Sequence, residues 1–375
     1  MMRLSSMFGP MFAAALMTGC AAVAEPVRPP PASAASQSLK RELDTRAPEW
    51  LRLHDVPSVA VAYIVDGQLV WSAAYGERAP GLPATPDTLY NIASMTKPIV
   101  AETVLRLSAA GRLSLDESMA PYWTDPDIAD DPRRLELTAA MALRHQSGFP
   151  NWRYETGDRL VFQAAPGTRT SYSGEGYDYV ARFAERRTGL DWESLANEMV
   201  FGPAGMGDTS FTGGGALSER AASAKGPDGS WRAPDVDTEW SAADNVRSTA
   251  ADYARFLISV MDRQGLTPEL TVRRGTVTDD QTGQACGPER LGPDVCPEAL
   301  GFGLGWVVSR YPDETIIQHG GGDWGERTLG FYVPETRTGI VVFTNGANGM
   351  RVIRDVVALL HPNEKFVAFL DMQAR

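Results

Sequence analysis

Short runs of β-branched and aromatic residues predict an antiparallel sheet. Ser58 to Val65 and Gln68 to Tyr75 are separated by Asp66-Gly67, a dipeptide that strongly favours a two-residue hairpin turn. Four runs of the same character lie near the other end of the chain, each bounded by turn residues: Gly305 to Arg310, Thr315 to His319, Thr328 to Val333 and Gly339 to Thr344. The pattern therefore predicts a sheet whose strands come from both ends of the chain.

Helical spacing of apolar residues predicts the rest of the fold. The predicted helices run from near Ser38 to Leu53, from Ser94 to a stop at Gly111, over Tyr177 to Arg187, after an Asp191 cap, from Thr249 through Met261, and over Arg351 to Leu360, with a further turn at Phe366 to Leu370. Residues 264–300 look irregular. We expect an α+β, three-layer fold, in which helices flank the antiparallel sheet and an all-helical lobe is inserted at about residues 113–238.

The first 24 residues predict an export signal rather than part of the fold. Met1-Met2-Arg3 gives a positive start, and the apolar run from Met7 to Met17 is too short for a stable membrane span. Residues 16–20 resemble a lipoprotein box, which would leave Cys20 as the lipidated first residue, and this hypothesis is favoured. The alternative is ordinary cleavage after Ala24, which would release a soluble product.

Residues 25–38 are rich in Pro, Ala and Ser and predict a tether, so the expected folded domain covers residues 39–375. The formal net charge of -12 argues against nucleic acid or an anionic membrane surface as a partner. The only membrane association we expect is through the possible N-terminal lipid anchor.

Cysteine and histidine usage indicates a disulfide and no metal site. Removal of Cys20 with the signal, or its lipidation, leaves Cys286 and Cys296 in an oxidising compartment, where we expect them to pair. Two free thiols in a loop are the alternative. The four histidines do not cluster with the cysteines or with each other, so neither a metal nor another cofactor is expected.

Ser94 and Lys97 form a candidate catalytic pair. Their three-residue spacing at the start of a helix puts both side chains on one face, where the hydroxyl and the amine can share a proton. The alternative is a chance match. Only 4 of the 35 basic residues are lysines, and an arginine in place of Lys97 could not be deprotonated to act as a base.

Two further stretches hold candidate site residues. The first, Pro166 to Tyr177, places Tyr172 between small residues just before a helix, and the second, His319 to Gly325, ends a strand with three glycines. Glycines at a strand end leave room for a ligand to lie against the backbone. Taken alone, Tyr172 is better explained as a core aromatic residue with its hydroxyl satisfied, and the glycines are also explained as a wide turn.

Together and in this order, the three stretches resemble the serine β-lactamase and penicillin-recognising superfamily, in its class C-like branch of β-lactamases, D-alanyl-D-alanine carboxypeptidases and esterases. The segments 145–150, 203–206 and 247–252 are similar to further recurrent motifs of that family. The resemblance implies that Ser94 is the nucleophile, Lys97 its proton partner, and Tyr172 a partly ionised general base that later protonates the leaving group.

The resemblance also implies an oxyanion site at the backbone amides of Ser94 and Gly322, with His319 and Gly321 lining the substrate site. No metal or organic cofactor is implied. The competing α/β-hydrolase design is not indicated, because no serine here lies in a Gly-x-Ser-x-Gly frame.

Departures from the family pattern bear on the substrate. Gly174 replaces an asparagine that many relatives use to hold a substrate amide, unless Glu175 substitutes for it, and His319 replaces a lysine. Asn348 and Arg351 are candidates for a restored carboxylate contact. We therefore expect an exported serine hydrolase acting on a small-molecule or cell-wall-derived ester or amide, with carboxylesterase activity preferred over β-lactamase or peptidase activity. The alternative of another class is a non-catalytic envelope binding protein.

Overall fold

Eight antiparallel strands form the central sheet of the computed structural model, which describes residues 33–212, 219–234, 239–286, 292 and 295–374. The strands are β1 Ser58–Val65, β2 Gln68–Ala79, β3 Leu82–Pro83, β4 Tyr90–Asn91, β5 Ala224–Lys225, β6 Trp231–Arg232, β7 Arg247–Ser248, β8 Ala299–Phe302, β9 Val307–Arg310, β10 Thr315–Gly322, β11 Arg327–Val333 and β12 Thr338–Thr344. The sheet order is β3-β2-β1-β12-β11-β10-β9-β8, and β4-β7 and β5-β6 form separate pairs. The N-terminal hairpin thus joins the C-terminal strands through β1 and β12.

Helices cover both faces of the sheet and form much of the lobe predicted at about residues 113–238, but that range also contains the β5-β6 pair and is therefore not all-helical. They are α1 Ala34–His54, α2 Thr96–Ala109, α3 Ala139–Leu143, α4 Gly174–Thr188, α5 Trp192–Ala196, α6 Gly202–Ala204, α7 Ala250–Met261, α8 Pro268–Arg274, α9 Thr282–Ala285, α10 Gly349–Leu360 and α11 Glu364–Gln373. None of the helices in the described residues is both long and apolar enough to span a membrane.

Alternation along the strands divides the core in two. On β1, Val59 and Val61 pack in the core formed with α1, α10 and α11, whereas Ala60 and Ala62 pack in the core formed with α2 and α7. Successive strand residues point to opposite faces of a sheet. Helices cover both faces of the sheet at β1, which explains why this strand is a continuous apolar run. The three-layer α+β prediction is confirmed.

Several element boundaries differ from the prediction. Helix α1 begins at Ala34 rather than near Ser38, because the Ser33 side chain caps it by accepting from the Ser36 amide at 3.1 Å. The last residues of the predicted tether are therefore helical. The predicted turn at Phe366 to Leu370 is a full helix, capped by Asn363. The predicted export signal, with Cys20 and both cleavage positions, lies outside the described residues.

The segment predicted to be irregular contains helices α8 and α9 and the first two residues of strand β8. Four residues form β8 and two of them are glycine or alanine, so the usual strand signal is weak there. The structure joins Cys286 to Cys296 by a disulfide, with their Cα atoms 6.0 Å apart. This bond lies just before β8 and ties the edge of the sheet to the chain that follows α9.

Candidate active site

A tight turn between β4 and α2 presents the Ser94 hydroxyl. Residues Ala93–Met95 form a single 3-10 turn, and Ala93 has a φ of 48°, a left-handed conformation that is unfavourable for a residue with a Cβ. The Asn91 side chain stabilises the turn by accepting from the Ala93 amide at 2.9 Å. Ser94 consequently lines a cleft of about 400 Å³.

Lys97 lies one helical turn further on and is fully buried. Its Nζ is 3.1 Å from Ser94 Oγ and donates to the Ala243 carbonyl at 2.8 Å. Burial lowers the pKa of Lys97 to about 8, although the negative charges of Asp244 and Asp178 oppose the shift. A large fraction of neutral amine is therefore available near pH 8, placed to take the proton of Ser94.

Tyr172 lines the same cleft as Ser94, and its phenol interacts with the Ser94 hydroxyl. Lys97 Nζ is 4.8 Å from the centre of the phenol ring. Burial raises the pKa of Tyr172, the interaction with Ser94 only partly offsets this effect, and the negative charge of Asp244 adds to it. The expectation of a partly ionised phenol is therefore wrong, because desolvation outweighs the interaction with Ser94. The phenol is a proton donor at neutral pH.

His145 supports Tyr172, a contact that the sequence analysis missed. The two rings stack with their centroids 4.3 Å apart. His145 Nδ1 accepts from the Ser173 amide at 3.1 Å, so the proton of the neutral ring is on Nε2. Burial holds the pKa of His145 well below its ordinary value. The conspicuous 145–150 segment was a signal for this residue, but the contact joins residues 27 positions apart and no local pattern reports it.

The end of β10 forms the wall opposite α2. His319 is buried, and its Nδ1 donates to the Gly320 carbonyl at 2.6 Å. Burial, and then the charge of Lys97, lowers the pKa of His319 to about 3. The position that carries a lysine in the family pattern therefore carries no charge here.

The three glycines let β10 pass close to the Ser94 turn. A Cβ on Gly321 would lie 2.3 Å from both the Ile92 carbonyl oxygen and Thr328 Oγ1. The backbone groups of successive residues point to alternate edges of a strand. The Asp323 amide donates to the Glu326 carbonyl, on the β11 side of β10. By this alternation the Gly322 amide points to the opposite edge, toward the cleft.

Other predicted substrate contacts are placed differently. A Cβ on Gly174 would lie 2.9 Å from the Trp152 ring, so the site has no space for a side-chain amide. Glu175 does not replace it, because Arg153 binds both of its carboxylate oxygens. Asn348 and Arg351 do not line the cleft.

Arg327 and Phe302, which the sequence analysis did not single out, do line the cleft. Phe302 ends β8, the strand missed in the predicted irregular segment. Among the described residues, no group of three or more His, Cys, Asp or Glu side chains is arranged as a metal site.

Known proteins resemble this chain over between about half and most of its length. It is 25% identical over 350 residues to the D-alanyl-D-alanine-carboxypeptidase/endopeptidase AmpH of Escherichia coli (strain K12), covering 81% of this chain and 85% of that protein. It is 30% identical over 205 residues to the esterase EstB of Burkholderia gladioli, covering 46% of this chain and 52% of that protein. The solved structure of the D-alanine carboxypeptidase AmpC from Burkholderia cenocepacia superposes with a TM-score of 0.70 at 21% identity, covering 86% of this chain and 98% of that one.

The model of the Beta-lactamase family matches residues 43–361, which is most of the chain. This range begins within α1, contains the Ser94 turn and the end of β10, and stops at the end of α10. The chain therefore belongs to the beta-lactamase family and is a serine hydrolase of that family.

Proposed function

We propose that this protein is an exported carboxylesterase that forms an acyl-enzyme on Ser94. Its substrate is an ester of a small molecule or of a cell-wall-derived compound. The observation that carries the proposal is the uncharged His319 at the end of β10, where the family pattern has a lysine. A neutral buried ring offers no ion pair to a substrate carboxylate, and a neutral ester needs none.

Acylation follows from the three side chains. Neutral Lys97 takes the Ser94 proton across 3.1 Å while Ser94 Oγ attacks the ester carbonyl carbon. The amides of Ser94 and Gly322 are assigned to the developing oxyanion, and each such donor is typically worth about 100- to 1,000-fold in rate. Tyr172 gives its phenol proton to the departing alkoxide. The C–O bond to the alcohol breaks, and the acyl group remains on Ser94.

Deacylation reverses these roles with water as the nucleophile. The phenolate of Tyr172 regains a proton from the Lys97 ammonium, which lies 4.8 Å from its ring centre. Water then attacks the acyl carbon, gives up a proton to the same pair of side chains, and Ser94 leaves with its hydroxyl restored. The stacked His145 ring holds Tyr172 in place throughout.

A peptidase or β-lactamase is the second candidate. It is supported by the greater coverage of AmpH, whose name gives carboxypeptidase and endopeptidase activity, compared with that of EstB. The missing amide at Gly174 and the uncharged His319 weigh against it, because both remove groups that would hold an amide or a carboxylate. A non-catalytic binding protein on the same fold is the third candidate. The short distance between Lys97 and Ser94 weighs against it.

Three substrates separate these candidates. The mature protein is offered a short-chain nitrophenyl ester, a chromogenic cephalosporin and a D-alanyl-D-alanine peptide, and we expect turnover of the ester to dominate. Ser94→Ala and Lys97→Ala should abolish turnover, whereas Lys365→Ala, which removes a lysine outside the cleft, should not. Rapid cephalosporin or peptide cleavage without ester cleavage would overturn the proposal, and failure of an active-site phosphonate to label Ser94 would favour the binding protein.

Export and lipid anchoring are part of the proposal. The signal in residues 1–24 supports them, with lipidation at Cys20 favoured over cleavage after Ala24. In a bacterial host, the full chain should fractionate with membranes, and Cys20→Ala should release it. A wild-type protein recovered only in the soluble periplasm would select cleavage after Ala24 instead.

A further inference from the structure

The active-site cleft continues through an opening at the edge of β10. Strand β9 pairs with β10 only as far as Gln318, whereas β11 pairs with β10 as far as Gly322. The last four residues of β10 therefore have a neighbouring strand on one side only. Three of these residues are glycines, which add no side chain of their own at the open edge.

The cleft has a second half on the other face of the sheet. His319 faces Tyr172 on the α2 side, and the alternation of side chains places Gln318 on the opposite face. Four apolar residues of that opposite side line the same cleft as Ser94: Val307, Leu329, Met350 and Phe369. The cleft thus runs from the nucleophile, over the glycine edge, to helices α10 and α11.

The polar side chains that line this second half are two amides and one guanidinium. Gln318 and Gln373 are neutral amides. Arg327 lines the cleft, but its Nη1 donates to the backbone carbonyls of Asp323 and Glu326, which holds the guanidinium at the hairpin. Among the described residues, no acidic side chain lines the cleft. The four apolar residues and the two neutral amides suit a hydrocarbon group.

We propose that this second half is a subsite for an apolar acyl chain, and that Phe369 and Met350 set the chain length the enzyme prefers. The subsite deepens the proposed esterase function and rests on it. The acyl group stays on Ser94, beside the open edge of β10, after Tyr172 has protonated the leaving alcohol. Its chain crosses at Gly320–Gly322 and packs against α11. Burial of each methylene in such a pocket corresponds to about a fourfold gain in kcat/KM.

The test compares acyl chains from acetate to octanoate in nitrophenyl esters. For the wild type, kcat/KM should rise about fourfold per methylene until the subsite is filled. Phe369→Trp should end the rise at a shorter chain, and Phe369→Ala should reduce the ratio of octanoate to acetate kcat/KM by tenfold or more. Met372→Ala is the matched control, since Met372 also lies on α11 and is partly buried but does not line the cleft. Its ratio should equal that of the wild type.

A second series tests the subsite without turnover. Nitrophenyl alkylphosphonates of methyl to octyl length phosphonylate the serine, forming a bond from Ser94 Oγ to phosphorus as nitrophenolate leaves, and intact mass gives the rate. The labelling rate could rise with chain length, and stop rising at a shorter chain in Phe369→Trp, while no ester is turned over. That result would refute the esterase and leave the subsite standing. Ester turnover with flat chain dependence in all variants would refute the subsite alone. No labelling of Ser94 by any member would overturn both.

Discussion

Replacement of Gly321 by alanine tests whether close approach of β10 to the Ser94 turn sustains catalysis. The added methyl group would lie 2.3 Å from the Ile92 carbonyl oxygen and from Thr328 Oγ1, and 3.2 Å from the Ala93 Cβ. These two oxygens are joined by a hydrogen bond of 2.9 Å, so neither can move away alone. To reach an ordinary contact of 3.4 Å, the strand has to move from the turn by about 1.1 Å.

That displacement sets the expected size of the effect. Moving a reacting group by about 1 Å costs on the order of 100-fold in rate, and the movement carries the Gly322 amide away from the carbonyl attacked by Ser94. Overpacking of this kind also lowers the free energy of unfolding by about 1 to 3 kcal/mol. We therefore expect Gly321→Ala to lose about 100-fold in kcat on a short-chain nitrophenyl ester, with a modest loss of stability.

The matched control is Gly207→Ala. Gly207 lies in an exposed turn where an added Cβ would meet nothing within 4 Å. Its kcat should equal that of the wild type. Stopped-flow measurement of the acylation rate, with thermal unfolding of each variant, separates lost geometry from lost folding. A fully active Gly321→Ala, or an equal loss in both variants, would show that the distance between β10 and the Ser94 turn does not control the chemistry.

Three further predictions concern protons and cross-links. For the wild type, kcat/KM should rise with pH to a midpoint near 8, where Lys97 becomes neutral. Asp178→Asn should move this midpoint to lower pH, because the negative charge that it removes favours the Lys97 ammonium. A pH–rate profile that is the same in both proteins would contradict this prediction. His319 has a pKa of about 3 when folded and about 6.5 when unfolded. The unfolded chain binds the extra proton between these values, so stability falls on acidification, by about 2 kcal/mol between pH 6.5 and 5. Denaturant titrations should show a smaller loss in His319→Asn, and an equal loss would refute the assignment. Cys286→Ser should lower the free energy of unfolding by about 2 to 3 kcal/mol, since the disulfide closes a short loop, and an unchanged denaturation midpoint would show that the bond does not constrain the unfolded chain.

Local patterns predicted most of the strands and the contact between Ser94 and Lys97. Asp66-Gly67 gives the β1–β2 hairpin because that turn chemistry is local, and the Ser94–Lys97 spacing gives a contact because both residues lie within one helical turn. The two strand-rich ends of the chain join through pairing of β1 with β12. Both strands are largely apolar, so both are suited to the middle of a sheet whose two faces are covered by helices.

Features that depend on distant contacts were missed. The neutral phenol of Tyr172 depends on burial by residues from several elements, and the Lys97 contact with Ala243 joins residues 146 positions apart. Glu175 was a candidate substrate contact in the sequence. Its carboxylate instead binds Arg153, 22 residues away, and no local pattern reports that contact. Phe302 was missed because β8 has few residues of high strand propensity. In each case the information lies in the assembled fold and not in a short window of sequence.

Burial of the Lys97 ammonium also lowers the stability of the folded chain. Its pKa falls from 10.5 to about 8 on folding, so at pH 7 the folded state carries a penalty of about 3 kcal/mol for holding the ammonium out of water. The penalty is complete below pH 8 and fades as the pH rises toward 10.5. An inactive Lys97→Met protein, with an apolar side chain in the same space, should therefore melt at a higher temperature than the active enzyme.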